Sequence, residues 1–299
     1  MREVSYRITP EDDGKEVKTV LRRRLGLSTR GLARLKRTHS LCLSGAPIYV
    51  TARVRTGDVL TFWMEEEKQQ DILPVAGPLD IRYEDEDLLI VHKPAPLACQ
   101  TTPEQPTGAL ANWVAEHERG RGRFVFRPVN RLDKGTSGLM VIARHAHAHH
   151  LLMRQLHTPD FVRQYEAVTQ GVLLPPEGVI DLPIRKVEAA SVRREVHPDG
   201  KRAVTAYWTE RVCGDVCLLR LQLETGRTHQ IRVHLAHLGH PIVGDFLYGT
   251  EDSRLPRRFA LHACHVEVLQ PMTGARLCLD APLPDEVAAL LRPGTPPTA

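Results

Sequence analysis

Apolar residues beyond position 80 come in short runs, and that pattern constrains the fold more than any other feature of the chain. Residues 81–83, 88–91, 139–143, 165–168, 179–182, 203–209, 216–223, 260–269 and 276–279 each have the length of a strand and strand-like content. Helical stretches are fewer: 108–118, 145–156 and 229–239. Many short strands with few helices predict an α+β fold built on a large mixed, mostly antiparallel sheet over residues 80–291. The run Leu139-Met140-Val141-Ile142-Ala143 has no polar member and predicts a buried strand. The chain has 299 residues, 42% of them hydrophobic, enough for one ordinary core plus a small appended domain. No apolar run approaches the roughly 18 residues of a membrane span. The start, Met1-Arg2-Glu3-Val4, lacks a signal-peptide core, so a cytoplasmic address is the default expectation.

The first sixty residues read differently. Val17, Val20, Leu21 and Leu25 lie at helical spacing, and Ser28 can cap a second helix that turns Leu32 and Leu35 inward. Strand-turn-strand patterns follow at 41–50 and 54–62. We place a small α/β domain at 14–64, a linker with Pro74, Gly77 and Pro78 at 65–79, and a loose tail at 292–299. The net charge is only +4, but between Lys15 and Arg37 nine bases face one acid, Glu16. Such a run is often just a solvated face. Spread over two helices it points instead to a polyanion, with Arg22, Arg23, Arg30, Arg34, Lys36 and Arg37 as candidate RNA-binding residues.

Two segments carry candidate chemistry. In Asn130-Arg131-Leu132-Asp133-Lys134-Gly135-Thr136-Ser137-Gly138-Leu139 a carboxylate sits in a small-residue loop directly before the apolar strand, where it can be held at a fixed angle. Taken alone, Asp133 could equally cap a turn. The segment Thr225-Gly226-Arg227-Thr228-His229-Gln230-Ile231-Arg232-Val233-His234 is rich in groups for anionic ligands at a helix start. An arginine beside Asp133 would keep it ionised. Other readings are weaker. The fifteen histidines cluster at 145–150 and 229–240, but no H-E-x-x-H pattern supports a metal. The six cysteines form no C-x-x-C pair and read as reduced packing residues. An Asp133/His229/Ser137 hydrolase triad has no G-x-S-x-G elbow behind it.

Together these motifs resemble the RluA family of pseudouridine synthases. The resemblance runs from Tyr83-Glu84-Asp85-Glu86-Asp87 and His92-Lys93-Pro94 through R-L-D-K-G-T-S-G-L-M-V-I-A-R, Tyr165-Glu166-Ala167-Val168 and T-G-R-T-H-Q-I-R-V-H. It then takes in Gly244-Asp245, Tyr248-Gly249, Leu261-His262-Ala263 and Ala281-Pro282-Leu283-Pro284. The basic N-terminal stretch, with L-S-G-A-P-I-Y-V and V-R-T-G-D-V-L, resembles the S-four-like RNA-binding domain. The resemblance implies a pseudouridine synthase catalytic domain that isomerises uridine in structured RNA, favouring ribosomal over transfer RNA, with no metal or cofactor and as a monomer. It implies that Asp133 is the essential carboxylate and that Tyr165 stacks on the flipped base and takes part in proton transfer. By the same match Arg227 pairs with Asp133, Arg131 fills the space that the base leaves, and Ile231 packs beneath it. Whether the aspartate bonds to the ribose or removes a proton from it stays open. Asn130 stands where the family usually has His, Pro96 where Gly is common, and Cys99-Gln100 where His-Pro is usual. The alternative is a catalytically inactive RNA-binding ribosome-assembly factor, which would have lost Asp133, Tyr165 or Arg227. All three are present.

Overall fold

The computed structural model describes residues 2–38, 40–64, 70–156, 158–188 and 190–292. The N-terminal unit contains β1 (Arg2–Arg7), α1 (Val17–Arg23), α2 (Thr29–Thr38), β2 (Leu41–Leu43), β3 (Ala46–Pro47) and β4 (Val59–Met64). Its four strands form an antiparallel sheet in the order β1-β4-β2-β3. The helices bury Val17, Val20, Leu21, Leu32 and Leu35 in one core with Leu41, Leu60 and Phe62. Ser28 caps the entry to α2, its Oγ accepting the Gly31 N–H at 3.0 Å. Strand β1 extends the unit upstream of the expected start at 14. Its sequence alternates, but of Glu3 to Arg7 only Val4 is buried, so it carries little apolar signal. Buried Asp12 ties the unit together: Tyr6 donates to it at 2.8 Å, Lys15 at 3.0 Å and Arg24 at 3.0 Å. Burial alone would raise its pKa, but these donors hold it down at about 2.

The second unit is larger. Along the chain come β5 (Asp80–Glu84), β6 (Leu88–Lys93), α3 (Leu110–His117), β7 (Arg127–Pro128), β8 (Ser137–Ala143) and α4 (Ala146–Gln155). They are followed by β9 (Val162–Gln170), β10 (Glu177–Asp181), β11 (Ile184–Lys186), β12 (Arg194–Val196), β13 (Val204–Cys213) and β14 (Val216–Leu223). Then come α5 (Gln230–His237), β15 (Leu261–Leu269), β16 (Arg276–Asp280) and α6 (Asp285–Ala288). Ten strands make one sheet with the path β10-β13-β14-β9-β15-β8-β6-β5, while β16 pairs with β15 and β7 with β8. Every pairing is antiparallel except β8 with β15. The sheet is thus mixed and mostly antiparallel. At the parallel step Gly138 (φ 118°) lies opposite Ala263, and a Cβ there would meet the Ala263 carbonyl oxygen at 2.2 Å.

Alternation along the central strands supplies two cores. Leu89, Val91, Met140, Ile142, Tyr165 and Ala167 face α3 and α5 on one side. Leu88, Ile90, Leu139, Val141 and Ala143 face α4 on the other, with Leu152 and Ala148 over them. All seven residues of β8 are buried, which is why the run carries no polar spacing. The β11–β12 hairpin, which the sequence pattern does not announce, stands as a separate two-stranded piece.

Candidate active site

The loop that carries Asp133 is anchored from three directions. Asn130 opens it, buried: its Oδ1 accepts the Val141 N–H at 2.8 Å and its Nδ2 donates to the Leu139 carbonyl at 3.3 Å. The side-chain amide thus pairs with β8 as a backbone amide would. Lys93, at the end of β6, is fully buried and donates to the carbonyls of Pro94 (2.9 Å) and Leu97 (2.7 Å). The Leu97 N–H in turn holds the Lys134 carbonyl at 2.9 Å. Burial pushes the Lys93 ammonium down to about 8, with the charge of Asp133 among those opposing the shift. Cys99 donates to the Leu132 carbonyl at 2.9 Å. So Cys99, a departure from the family pattern, has become an anchor of the loop.

Across from this loop, α5 presents Arg232. Its Nε and Nη2 fork onto Asp245 at 2.7 and 2.8 Å, and Nη1 donates to Asp133 Oδ2 at 3.0 Å. The guanidinium lies over Phe259, 4.1 Å from the ring centre, and beside Tyr248 at 5.0 Å. Burial disfavours its charge, but the hydrogen bonds and charges of Asp245 and Asp133 outweigh that and raise its pKa. Asp245 is fully buried and also receives the N–H groups of Leu247 (3.0 Å) and Tyr248 (3.2 Å). A fork fixed by one aspartate and offering its last nitrogen to another is a rigid way to aim a carboxylate. The other oxygen of Asp133, Oδ1, has His229 Nε2 at 3.9 Å, beyond hydrogen-bond reach. His229 precedes α5 in the left-handed conformation (φ 58°) and shares a 2.8 Å hydrogen bond with the Tyr248 hydroxyl. Burial lowers its pKa more than Asp133 raises it.

The cleft in front of Asp133 is open to solvent, about 360 Å³ with its open mouth included, and is lined by Arg131, Tyr165, Leu223, Ile231, Leu261 and Thr136, among others. Tyr165 projects from β9, and burial raises the pKa of its phenol. The lining is mixed: Leu132, Leu223, Ile231, Leu261 and the Tyr165 ring stand beside Asp133, Thr136, Gln230, His229 and three arginines, so a flat heterocycle would find both an apolar face and polar groups for its edges. Gln230 braces the start of α5. It accepts from Thr225 Oγ1 (2.8 Å) and the Arg227 N–H (2.9 Å), and donates to the Val204 carbonyl (2.9 Å).

Asp133, Tyr165, Arg131 and Ile231 thus share one cleft. Arg227 lines it too, but the expected pairing of Arg227 with Asp133 is corrected: Arg232 makes that contact. Arg227 is exposed in the loop before α5, and its Nε is spent on the Arg202 carbonyl at 3.0 Å. The hydrolase arrangement also dissolves. Ser137 is buried against His262 Nδ1 (2.8 Å) and Arg258 (3.1 Å), not against His229. Among the clustered histidines, His145 caps α4 and pairs with Asp87, and His234 binds Thr205 and the Leu182 carbonyl. On the N-terminal helices Arg22, Arg23, Arg30, Lys36 and Arg37 are exposed and Arg34 is half-buried. Sequence reasoning assigned no role to Lys93, Arg232, Asp245, Tyr248 or Phe259. The pairs Gly244-Asp245 and Tyr248-Gly249 were visible as motifs, and a fully buried aspartate needs a basic partner.

Comparison with known proteins agrees with this geometry. The family described as RNA pseudouridylate synthase matches residues 87–237. The chain is 37% identical over 271 residues to an uncharacterised RNA pseudouridine synthase, YjbO, of Bacillus subtilis, covering 90% of this chain and 95% of that protein. It is 39% identical over 257 residues to the ribosomal large subunit pseudouridine synthase D of Haemophilus influenzae, covering 80% and 78%. The solved human RNA pseudouridylate synthase domain containing 1 superposes with a TM-score of 0.58 at 25% identity, over 74% of this chain and 91% of that one. The chain belongs to the RNA pseudouridylate synthases, in the RluA family. It is an enzyme that isomerises uridine in RNA to pseudouridine.

Proposed function

We propose that Asp133 acts at the ribose of a uridine flipped into the cleft, and that the RNA is ribosomal. The observation that carries the reading is the half-used carboxylate: Arg232 holds Oδ2, Oδ1 has no hydrogen-bond partner among the described residues, and Asp133 and Tyr165 line the same cleft. In the reaction the bond from ribose to ring nitrogen 1 breaks, the uracil turns, and carbon 5 bonds to the ribose. The carbon 5 proton is lost and nitrogen 1 gains one, so the product is an isomer. An ionised Asp133 in a fixed pose meets the needs of the first step. Tyr165 offers a ring face to the extruded base and stays a neutral phenol, able to pass on a proton only as it receives one. Ile231, 4% exposed, packs beneath the base. Arg131, exposed at the mouth, fills the space that the base vacates. Arg227, at the rim, meets the RNA backbone rather than Asp133.

Ribosomal RNA is favoured because relatives named as large-subunit synthases align over four fifths of the chain. The exposed bases of α1 and α2 support an S-four-like RNA-binding role for residues 14–64, with 65–79 as linker and 80–291 as catalytic domain. A second contact surface suits a large folded RNA. The reading includes a cytoplasmic enzyme that acts as a monomer. The test is a map of pseudouridine across cellular RNA, with and without the gene, by reverse-transcription stops at carbodiimide adducts. Loss of one or a few ribosomal sites is expected. Loss only in transfer RNA would overturn the substrate class, and no loss anywhere would overturn the activity reading for this chain.

A further inference from the structure

Among the described residues, Arg163 is the buried arginine near the cleft that has no counter-charge. It is 6% exposed, and its Nε and Nη2 are shut off from solvent with no hydrogen-bond partner among those residues. Its buried neighbours differ. Arg232 is held by two aspartates, and Arg258 by Glu286 and Ser137. Withdrawing a guanidinium from water without a partner costs several kcal/mol. Such a group persists where a ligand supplies the missing charge.

Its position says which ligand. Arg163 stands two residues before Tyr165 on β9, so both side chains leave the same face of the strand, about 6.6 Å apart along it. The Phe161 ring lies 5.8 Å from the guanidinium carbon. The guanidinium meets Gly226, where a Cβ would come to 3.3 Å from Nη1. Gly226 is exposed and lies between Thr225 and Arg227 in the segment that forms the rim. A side chain at Gly226 would crowd the guanidinium, and Nη1 is the nitrogen nearest to that exposed glycine.

We propose that Arg163 binds a backbone phosphate of the substrate RNA next to the flipped uridine, with Nη1 leading beside the exposed Gly226. This rests on the reading of the Asp133–Tyr165 cleft as the uridine site. Phosphate is the anion that such a substrate brings, and a charge-assisted hydrogen bond from Nη1 to one of its oxygens would set its charge beside the buried guanidinium. The uracil carbonyls are neutral and would leave the buried charge uncompensated. Neutralisation in a site poor in water strengthens the contact and ties docking of the strand to entry of the base.

The experiment uses the full-length enzyme and an RNA fragment carrying the mapped uridine, with single methylphosphonate linkages placed in turn around it. In Arg163→Gln, KM should rise roughly ten- to a hundred-fold with kcat moved far less. The slope of log KM against log salt should flatten by about 0.7 to 0.9, one phosphate's worth. One methylphosphonate position should penalise the wild-type enzyme and cost Arg163→Gln nothing further, while Arg163→Lys should recover part of the loss. Should Arg163→Gln fail to fold, Gly226→Ala gives the same readout by crowding Nη1 from outside the core. An unchanged KM and salt slope, or a methylphosphonate penalty equal in wild type and variant, would overturn the proposal. If Asp133→Asn still turned over, the reading of the cleft would fail instead, whatever Arg163 did.

Discussion

The two units use positive charge in opposite ways. On α1 and α2 the bases stand in solvent: Arg22, Arg23, Arg30 and Lys36 are all exposed. In the catalytic unit, behind the exposed Arg131 and Arg227 of the cleft mouth, other bases are inside: Lys93, Arg163, Arg232 and Arg258 are each 6% exposed or less. Exposed charge attracts a polyanion from a distance but is screened by salt and holds no geometry. Buried charge is costly, but once partnered it fixes atoms relative to one another. One unit is thus suited to capture RNA and the other to hold a carboxylate still.

The sharpest way to break this comparison is Asp133→Asn. It removes the held group and leaves every surface base in place. Turnover should fall about a thousand-fold or more, while RNA binding by filter retention stays near that of wild type. Turnover close to wild type would remove Asp133 from the chemistry. Next comes the holder. Arg232→Ala strands buried Asp245 and should destabilise the fold by about 3–5 kcal/mol in urea melts. Arg232→Lys keeps the charge but loses the fork, and should lower kcat about a hundred-fold. Arg227→Ala should change kcat little. If Arg227→Ala were the damaging variant, the Arg232–Asp133 pairing would not be the working one.

Smaller effects test the outer unit. Replacing Arg22, Arg23, Arg30 and Lys36 with Gln should leave kcat unchanged and flatten the salt dependence of binding by about 0.7 to 0.9 for each phosphate no longer neutralised. An unaltered slope would make these bases a solvated face. The smallest effect is on stability in acid. Burial holds His262 down at about 4 from 6.5, and lowers His92, His149, His229 and His234 as well. Unfolded imidazoles take protons first, so the large unit should lose stability as pH falls from about 6.5 toward 4. Asp12, held at about 2 against 3.8, stabilises the small unit fully above about pH 4, and that stabilisation is lost only toward 2. Variants that keep a single tryptophan separate the two, since Trp63 reports on β4 while Trp113 and Trp208 report on α3 and β13. The Trp113 signal should change first. A single shared transition would mean that the cores melt as one.

Most of the sheet could be read from sequence because its strands are dense in apolar residues. Strand β1 could not, since Arg2-Glu3-Val4-Ser5-Tyr6-Arg7 gains its place from pairing with β4, not from its own burial. The β11–β12 hairpin likewise has few core residues. At the site, Asp133 was legible through the match of R-L-D-K-G-T-S-G-L to the family motif, whereas its place before an apolar strand alone fitted a turn cap equally well. Which arginine meets it was not. Arg227 and Arg232 lie five residues apart in one motif, and the choice depends on Asp245, thirteen residues further on, returning to hold the second. Asn130 could be flagged as a departure, but its role as a stand-in for a strand amide depends on distances to β8 that no linear pattern contains.

Strand β15 joins the two halves of the large sheet, lying between β9 with its Tyr165 and β8 with the Asp133 loop. It is also among the last strands in the chain, at residues 261–269. During synthesis the two halves would therefore leave the ribosome long before the strand that unites them. A nascent chain would already display the exposed bases of α1 and α2 while Asp133 and Tyr165 were still apart. Ligand capture would precede chemical competence, so a growing chain could hold RNA without altering it.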